Sequence, residues 1–242
     1  MDDLELTPTF LPQQPGAPAL VGGEVHVWAV PLQGDALPFE ADLSPVELDR
    51  LHRFRFAAHQ RRFQISHGAT RRILAGYLGC APKDVALRHG PRGKPYIDGD
   101  GPSFNLSHSG DLALVALASN ELGVDVEKVR RLESLRQIAQ RHFSDAEYAA
   151  LKALDEGEQE LAFYRCWTRK EAYIKALGEG LSMALDSFDV SIGEAAAFLA
   201  CHDGREDPAR WSMLDISPSE DFVAAVAVRQ DSADVRRFLF EA

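Results

Sequence analysis

The chain has 242 residues, enough to bury a sizeable core as one large domain or as two of roughly 120 residues each. Its 45% hydrophobic and 26% charged residues are those of an ordinary globular protein, and no run approaches the roughly 20 apolar residues that a membrane span needs. A formal net charge of -11 argues against general nucleic-acid binding.

The first residues, Met1 to Glu5, are acidic and lack the basic-then-apolar pattern of a secretory signal, so the expected location is the cytoplasm. Residues 7–23 are rich in Pro and Gly and read as irregular. Val25 to Val30 alternates as a strand does. Ser44-Pro45 with Glu47 has the pattern of a capping box and opens a helix. Phe63, Ile65, Ala69, Ile73, Leu74, Tyr77 and Leu78 recur at helical spacing, and Gly79 stops that second helix. His89 to Pro102 is a loop, and Phe104 to Gly110 is placed as a site loop before the apolar strand Leu112 to Ala118. Leu122 to Val126 is a short strand following the Ser119-Asn120 turn.

Beyond this point the pattern becomes helical. Ser144 with Glu147 opens a helix toward Leu154, and 155–160 reads as a loop or a frayed helix end. Phe163 to Leu177, closed by Gly178, is the strongest helix signal. Strands are expected at 186–192 and 222–228, and a short terminal helix near 233–240. Cys80, Cys166 and Cys201 have neither disulfide-framework nor zinc spacing and read as small buried hydrophobes.

Charge is unevenly spread. Residues 1–120 carry 11 basic against 13 acidic side chains, and 121–242 carry 15 against 24. Between 50 and 72 stand seven arginines and no acid, either a solvated helix face or an anion-binding patch. A faint internal repeat relates Thr70-Arg71-Arg72 to Thr168-Arg169-Lys170, each in a helix that ends at Gly79 or Gly178. Ser109-Gly110-Asp111-Leu112 likewise resembles Ser219-Glu220-Asp221-Phe222. The repeat predicts an α+β fold of two similar α/β subdomains, 1–120 and 121–242, related by a pseudo-twofold axis. The site would lie in the cleft between them.

In Gly123-Val124-Asp125-Val126-Glu127, strand alternation sends both acids to one face, where they repel unless something positive lies between them. A hard divalent cation answers this; two surface acids at a strand end is the plainer alternative. Trp167, Glu171 and Lys175 share one face of the later helix, with Lys170 about 100° round from Glu171. A third carboxylate flanked by two lysines suits a site for a metal-bound polyphosphate, although a simple Glu–Lys helix pair also explains it. Ser107 and His108 offer donors to phosphate oxygens, although a histidine that merely caps a strand is the plainer alternative, and Gly93-Lys94-Pro95 combines close approach with a point charge.

Together these segments, in this order, resemble the 4'-phosphopantetheinyl transferases of the larger, Sfp-like monomeric type. The matching pieces are Gly93-Lys94-Pro95, Phe104 to Ser109, Gly123 to Glu127, Trp167 to Lys175 and Gly178-Glu179-Gly180-Leu181, and the likeness spans about residues 44 to 190. The resemblance implies coenzyme A as donor and a serine of an acyl or peptidyl carrier protein as acceptor. It implies Mg2+ held by Asp125, Glu127 and Glu171. Lys94, Ser107, His108, Lys170 and Lys175 would contact the coenzyme's phosphates, with Asp125, Glu171 and Lys175 at the chemistry and Glu171 the first choice of base. The family's two basic residues after the Ser-Pro correspond to Glu47 and Arg50, so Arg50 is joined by Arg61, Arg62, Arg71 and Arg88 as candidates for the 3'-phosphate. Two other readings stand beside it: a magnesium-dependent hydrolase of a nucleotide or phosphate ester, and an inert carrier-binding domain.

Overall fold

The computed structural model describes residues 6, 10–12, 18–180 and 183–241. Met1 to Glu5, part of the irregular 7–23 segment and Leu181 of the trailing Gly-Glu-Gly-Leu lie outside the described residues.

The first half opens with β1 (Leu11–Pro12), β2 (Glu24–Pro31), α1 (Pro45–Leu51) and α2 (Ala57–Leu78). Both bonds of the expected capping box start α1, between Ser44 and Glu47. The short hairpin β3 (Leu87–His89) and β4 (Pro95–Ile97) follows, then β5 (Ser103–Ser109) and β6 (Leu112–Ala118). The second half holds β7 (Leu122–Lys128), α3 (Leu135–His142), α4 (Asp145–Ala153), α5 (Glu156–Leu177), and the hairpin β8 (Phe188–Val190) and β9 (Phe198–Cys201). It ends with β10 (Ser212–Asp215), β11 (Phe222–Val228) and β12 (Asp234–Leu239).

Two sheets result. One has the order β1-β12-β2-β6-β5, with β12 parallel to both β1 and β2 and the other pairs antiparallel. The other is antiparallel, β10-β11-β7. Alternation along each strand divides the core. Val25, Val27 and Ala29 of β2 and Leu112 and Leu114 of β6 meet Val124 and Val126 of β7 and Val226 of β11 between the sheets. The opposite face of the larger sheet, including Trp28 and Val115, packs on Ile65, Ala69 and Ile73 of α2. The opposite face of the smaller sheet, Val223 and Ala225, packs on Phe163 and Tyr173 of α5. The layers therefore run helix, sheet, sheet, helix, an α+β arrangement.

Several expectations need correction. Phe104 to Ser109 is not a loop but most of edge strand β5, paired to β6 residue by residue. Residues 156–160 are the first turns of α5, so both long helices have 22 residues and both end at a left-handed glycine, Gly79 at φ 65° and Gly178 at φ 69°. Residues 234–239 form β12, not a helix: Val235 and Phe238 suggest helical spacing, but Phe238 stacks on Trp28 while the backbone pairs with β2. The chain's last strand thus joins the sheet of the first half. Of the cysteines only Cys166 is buried; Cys80 is exposed and Cys201 lies between.

Candidate active site

Asp125 and Glu127 reach one face of β7, as alternation requires, and α5 crosses that face. The crossing is close because Gly123 has no side chain: a Cβ there would collide with the backbone of Ala172 and Ala176. The two elements that periodicity could not join are thus in direct contact. Lys175 Nζ lies 2.6 Å from Asp125 Oδ1 and donates to Ser107 Oγ at 2.9 Å. Ser107 Oγ in turn donates to Asp125 Oδ1 at 2.9 Å, and Ser109 Oγ donates to Glu127 Oε2 at 2.8 Å.

Two carboxylate oxygens in this group, Asp125 Oδ2 and Glu171 Oε1, are buried with no hydrogen-bond partner. Burial raises the pKa of Glu171, and the charges of Asp125 and Glu127 add to the rise while Lys175 opposes it. Burial likewise raises Glu127, against the hydrogen bond from Ser109, and the Asp125 charge raises it further. The three acids therefore share one field. Among the described residues no three His, Cys, Asp or Glu side chains stand close enough to enclose an ion by themselves. The donor set still fits magnesium, which keeps several waters and takes one or two carboxylates rather than a closed protein cage.

Glu127 also lines a cleft of about 640 Å³, walled on the other side by α2. Arg50, Arg62, Lys128 and Arg130 give it a positive lining, with the imidazoles of His67 and His108 among them. Arg62 donates twice to Asp111 Oδ1, at 3.1 and 2.8 Å, and Arg50 lies over the Phe63 ring. His108 stands at the cleft with its pKa lowered, first by the protein around it and then by His67, Lys175 and Arg62, so its imidazole is neutral near pH 7. Two further hollows share walls with the cleft. One of about 340 Å³ shares Arg50 and His67 and extends under α1; one of about 210 Å³ shares Glu127 and Tyr164 and is otherwise apolar, with Leu132, Ile138, Phe163 and Trp167.

Not every residue expected here comes to the cleft. Lys170 is fully buried on the other side of α5, paired with Glu147 at 2.8 Å and donating to the carbonyls of Leu185 and Phe188 at 2.7 Å each. The rotation about the helix axis that places Glu171 beside β7 turns Lys170 toward β8. Lys94 Nζ donates to the carbonyls of Leu122 and Ala176, at 2.9 and 2.7 Å, fastening the β3–β4 hairpin to β7 and to the C-terminal end of α5. Burial lowers its pKa to about 8. Arg88 pairs at the surface with Asp98, and Arg71 is buried against Glu47 Oε2 at 2.6 Å. That pair accounts for the acid at 47: Glu47 caps α1, also meets His67, and although burial pushes its pKa up, these hydrogen bonds and Arg71 hold it at about 2.

Sequence reasoning missed His67, Lys128, Arg130 and Tyr164 in the cleft. His67 lies on the same α2 face as Phe63, one turn on, and was legible as a face neighbour. Arg130 and Tyr164 meet only through the fold, where Tyr164 Oη accepts from the Arg130 amide and donates to its carbonyl.

Two family models match the chain. Residues 30–121 match "4'-phosphopantetheinyl transferase, N-terminal", and residues 121–227 match the "4'-phosphopantetheinyl transferase superfamily". The 4'-phosphopantetheinyl transferase HetI of Nostoc sp. is 37% identical over 235 residues, covering 91% of this chain and 93% of that protein. A putative 4'-phosphopantetheinyl transferase of Synechocystis sp. is 33% identical, with 66% of this chain and 68% of that protein covered. The 4'-phosphopantetheinyl transferase Sfp of Bacillus subtilis is 34% identical, with 64% and 68% covered. With that likeness extending over nearly its whole length, the chain belongs to the Sfp-like 4'-phosphopantetheinyl transferases.

Proposed function

We propose that this enzyme moves 4'-phosphopantetheine from coenzyme A to a serine of an acyl or peptidyl carrier protein and releases adenosine 3',5'-bisphosphate. The observation that carries this reading is the grouping of Asp125, Glu127, Glu171 and Lys175 beside a positively lined cleft of about 640 Å³, to whose wall Glu127 belongs. A cluster of cations on an acidic protein suits a bound anion, and arginines with imidazoles suit the phosphates of a nucleotide. The sharing of walls between the cleft and its two neighbours supports an elongated donor, with a polar nucleotide end under α1 and α2 and an apolar arm toward Phe163 and Trp167.

Asp125, Glu127 and Glu171 would hold magnesium, and the unbonded buried oxygens of Asp125 and Glu171 support that assignment. When bound, the ion would neutralise the donor's pyrophosphate and draw electron density from the phosphorus under attack. The chain's own groups do the rest. Lys175 offsets charge on the non-bridging oxygens, and the cleft arginines hold the departing bisphosphate. Glu171, with a raised pKa, is our choice to take the serine proton as the serine oxygen bonds to phosphorus and the phosphoanhydride bond breaks. A water that relays the proton to an acid is the alternative.

One chain supplies both walls of the cleft, which supports a monomer. Among the described residues no helix is long and apolar enough to cross a membrane. The two 22-residue helices, each laid on its own sheet, support the pseudo-twofold reading of the halves. The test is to incubate the protein with coenzyme A, Mg2+ and a panel of apo-carrier proteins and to weigh each carrier intact. The expected result is a gain of one phosphopantetheine on at least one carrier, absent when Mg2+ is chelated. No gain on any carrier sinks the proposal.

A further inference from the structure

The two sheets meet along β5 and β7 by an unusual join. Each is an edge strand, and they share no backbone ladder. Instead, from Asn105 onward every second side chain of β5 takes a backbone N–H of β7. Asn105 Oδ1 accepts from Val124 N at 2.9 Å, Ser107 Oγ from Val126 N at 3.4 Å, and Ser109 Oγ from Lys128 N at 3.1 Å. Alternation explains the set: Phe104 and Leu106 point to the α2 core, so 105, 107 and 109 all face β7. Three successive edge N–H groups, which a free edge would leave to water or to another strand, are satisfied in this way.

The two hydroxyls do more than accept. Ser107 donates its proton to Asp125 Oδ1, and Ser109 donates its own to Glu127 Oε2, so each spans the amide of one β7 residue and the carboxylate of the residue before it. A hydroxyl has one donor and two acceptor positions; Ser107 uses all three, with Lys175 Nζ as its second donor, and Ser109 uses its donor and one acceptor position. The carboxylate is thereby held at one oxygen while the other stays available; Asp125 Oδ2 has no partner. Asn105, at the end away from the acids, anchors the register alone.

We propose that Ser109 is a positioning residue for Glu127, the last rung of a side-chain ladder by which β5 sets the orientation of the β7 carboxylates toward a divalent cation. The proposal rests on the magnesium reading above. It differs from the resemblance, which assigns Ser107 a phosphate contact and Ser109 nothing. Outer partners of metal ligands commonly change metal affinity by about 10- to 100-fold when removed.

The test uses the full chain and Mn2+ as a paramagnetic probe, with binding read by electron paramagnetic resonance and folding by near-ultraviolet circular dichroism. Ser109→Ala should keep its spectrum and lose at least about tenfold in Mn2+ affinity, Ser109→Thr should regain most of it, and Ser109→Ala should add nothing further in a Glu127→Gln background. Unchanged Mn2+ affinity in Ser109→Ala overturns the proposal. So does a loss of tertiary structure that accounts for the weakened binding, or a failure of Thr to restore it. If the wild-type chain takes up no Mn2+, the magnesium reading falls as well; if only the serine variants behave like wild type, it stands and this proposal alone is lost.

Discussion

Lys175 Nζ sits 2.6 Å from Asp125 Oδ1, and the same ammonium donates to Ser107 Oγ, so a single cation from α5 ties down a buried carboxylate on β7 and the serine that bonds it. Charge-assisted contacts of this length are strong, and this one links the two elements that carry the candidate acids.

Lys175→Ala should therefore lower transfer to an apo-carrier at least about a hundredfold, the usual cost of removing one charge-stabilising donor from a preorganised site. Single-turnover transfer at saturating coenzyme A is the measurement. A loss confined to coenzyme A affinity, with the transfer rate intact, would show that Lys175 only binds.

Lys170 should behave in the opposite way. Its partner Glu147 is nearly as buried as Lys170 itself, caps α4 and accepts from the Val190 amide. Lys170→Met leaves that carboxylate uncompensated and should cost about 3–5 kcal/mol of stability. Denaturant unfolding reads this, with Glu147→Gln in the same chain recovering part of the loss. Transfer per folded molecule and the coenzyme A KM should stay near wild type; a raised KM in folded protein would return Lys170 to the phosphate site.

The contrast between these lysines marks where sequence reading stopped. Capping boxes at Ser44 and Ser144 and the stops at Gly79 and Gly178 are local physics, and each is found as read. The face shared by Glu171 and Lys175 was equally legible, being set by helix geometry. Lys170 lies only about 100° away, and which side of that margin meets β7 depends on Gly123, a contact distant in sequence. The β5 segment misled for a related reason: Asn105, Ser107 and Ser109 are polar because they satisfy β7, and polar residues without a visible partner read as a loop. Strand β12 was hidden because its pairing partner, β2, lies some 210 residues earlier.

Proton and cation should compete for the acids. Burial and mutual repulsion raise Glu127 and Glu171, so both hold protons at pH values where an ordinary carboxyl is ionised. A raised carboxyl pKa favours the folded ion-free chain below the ordinary carboxyl range, and that contribution fades as pH rises through the raised values. Bound cation requires the ionised form, so its stabilisation grows in the same interval. The thermal shift produced by Mn2+ should thus be larger at pH 7.5 than at pH 5.5. Equal shifts at the two values contradict the argument.

The arginine-rich stretch predicts an effect on the acceptor. Arg53, Arg55 and Arg61 are exposed in the same stretch as the cleft-lining Phe54, His59 and Arg62 and the exposed Phe56, and among the described residues none of the three has an acid within ion-pair distance. Carrier proteins are usually acidic, and opposite charge accelerates encounter. Changing these three arginines to Glu should raise the KM for the carrier about tenfold or more and flatten its salt dependence, with the coenzyme A KM little altered. Steady-state kinetics at two ionic strengths decide it; an unchanged carrier KM removes the patch from docking.

Gly123→Ala tests the joint between strand and helix. A methyl group there would overlap the carbonyl of Ala172 and the amide of Ala176, which are backbone atoms of α5 and cannot swing aside as a side-chain tip can. The helix must move away from β7 or the strand must bend. Overpacking costs about 1–3 kcal/mol and more where backbone is displaced, so a loss near the upper value is expected in denaturant unfolding. The same displacement carries Lys175 away from Asp125 and Glu171 away from the β7 acids. Activity per folded molecule should then fall more steeply than in Lys170→Met, although neither substitution touches the coenzyme. An Ala variant of full activity and stability would mean that α5 can stand off from β7, and that close contact between them is not what assembles the site.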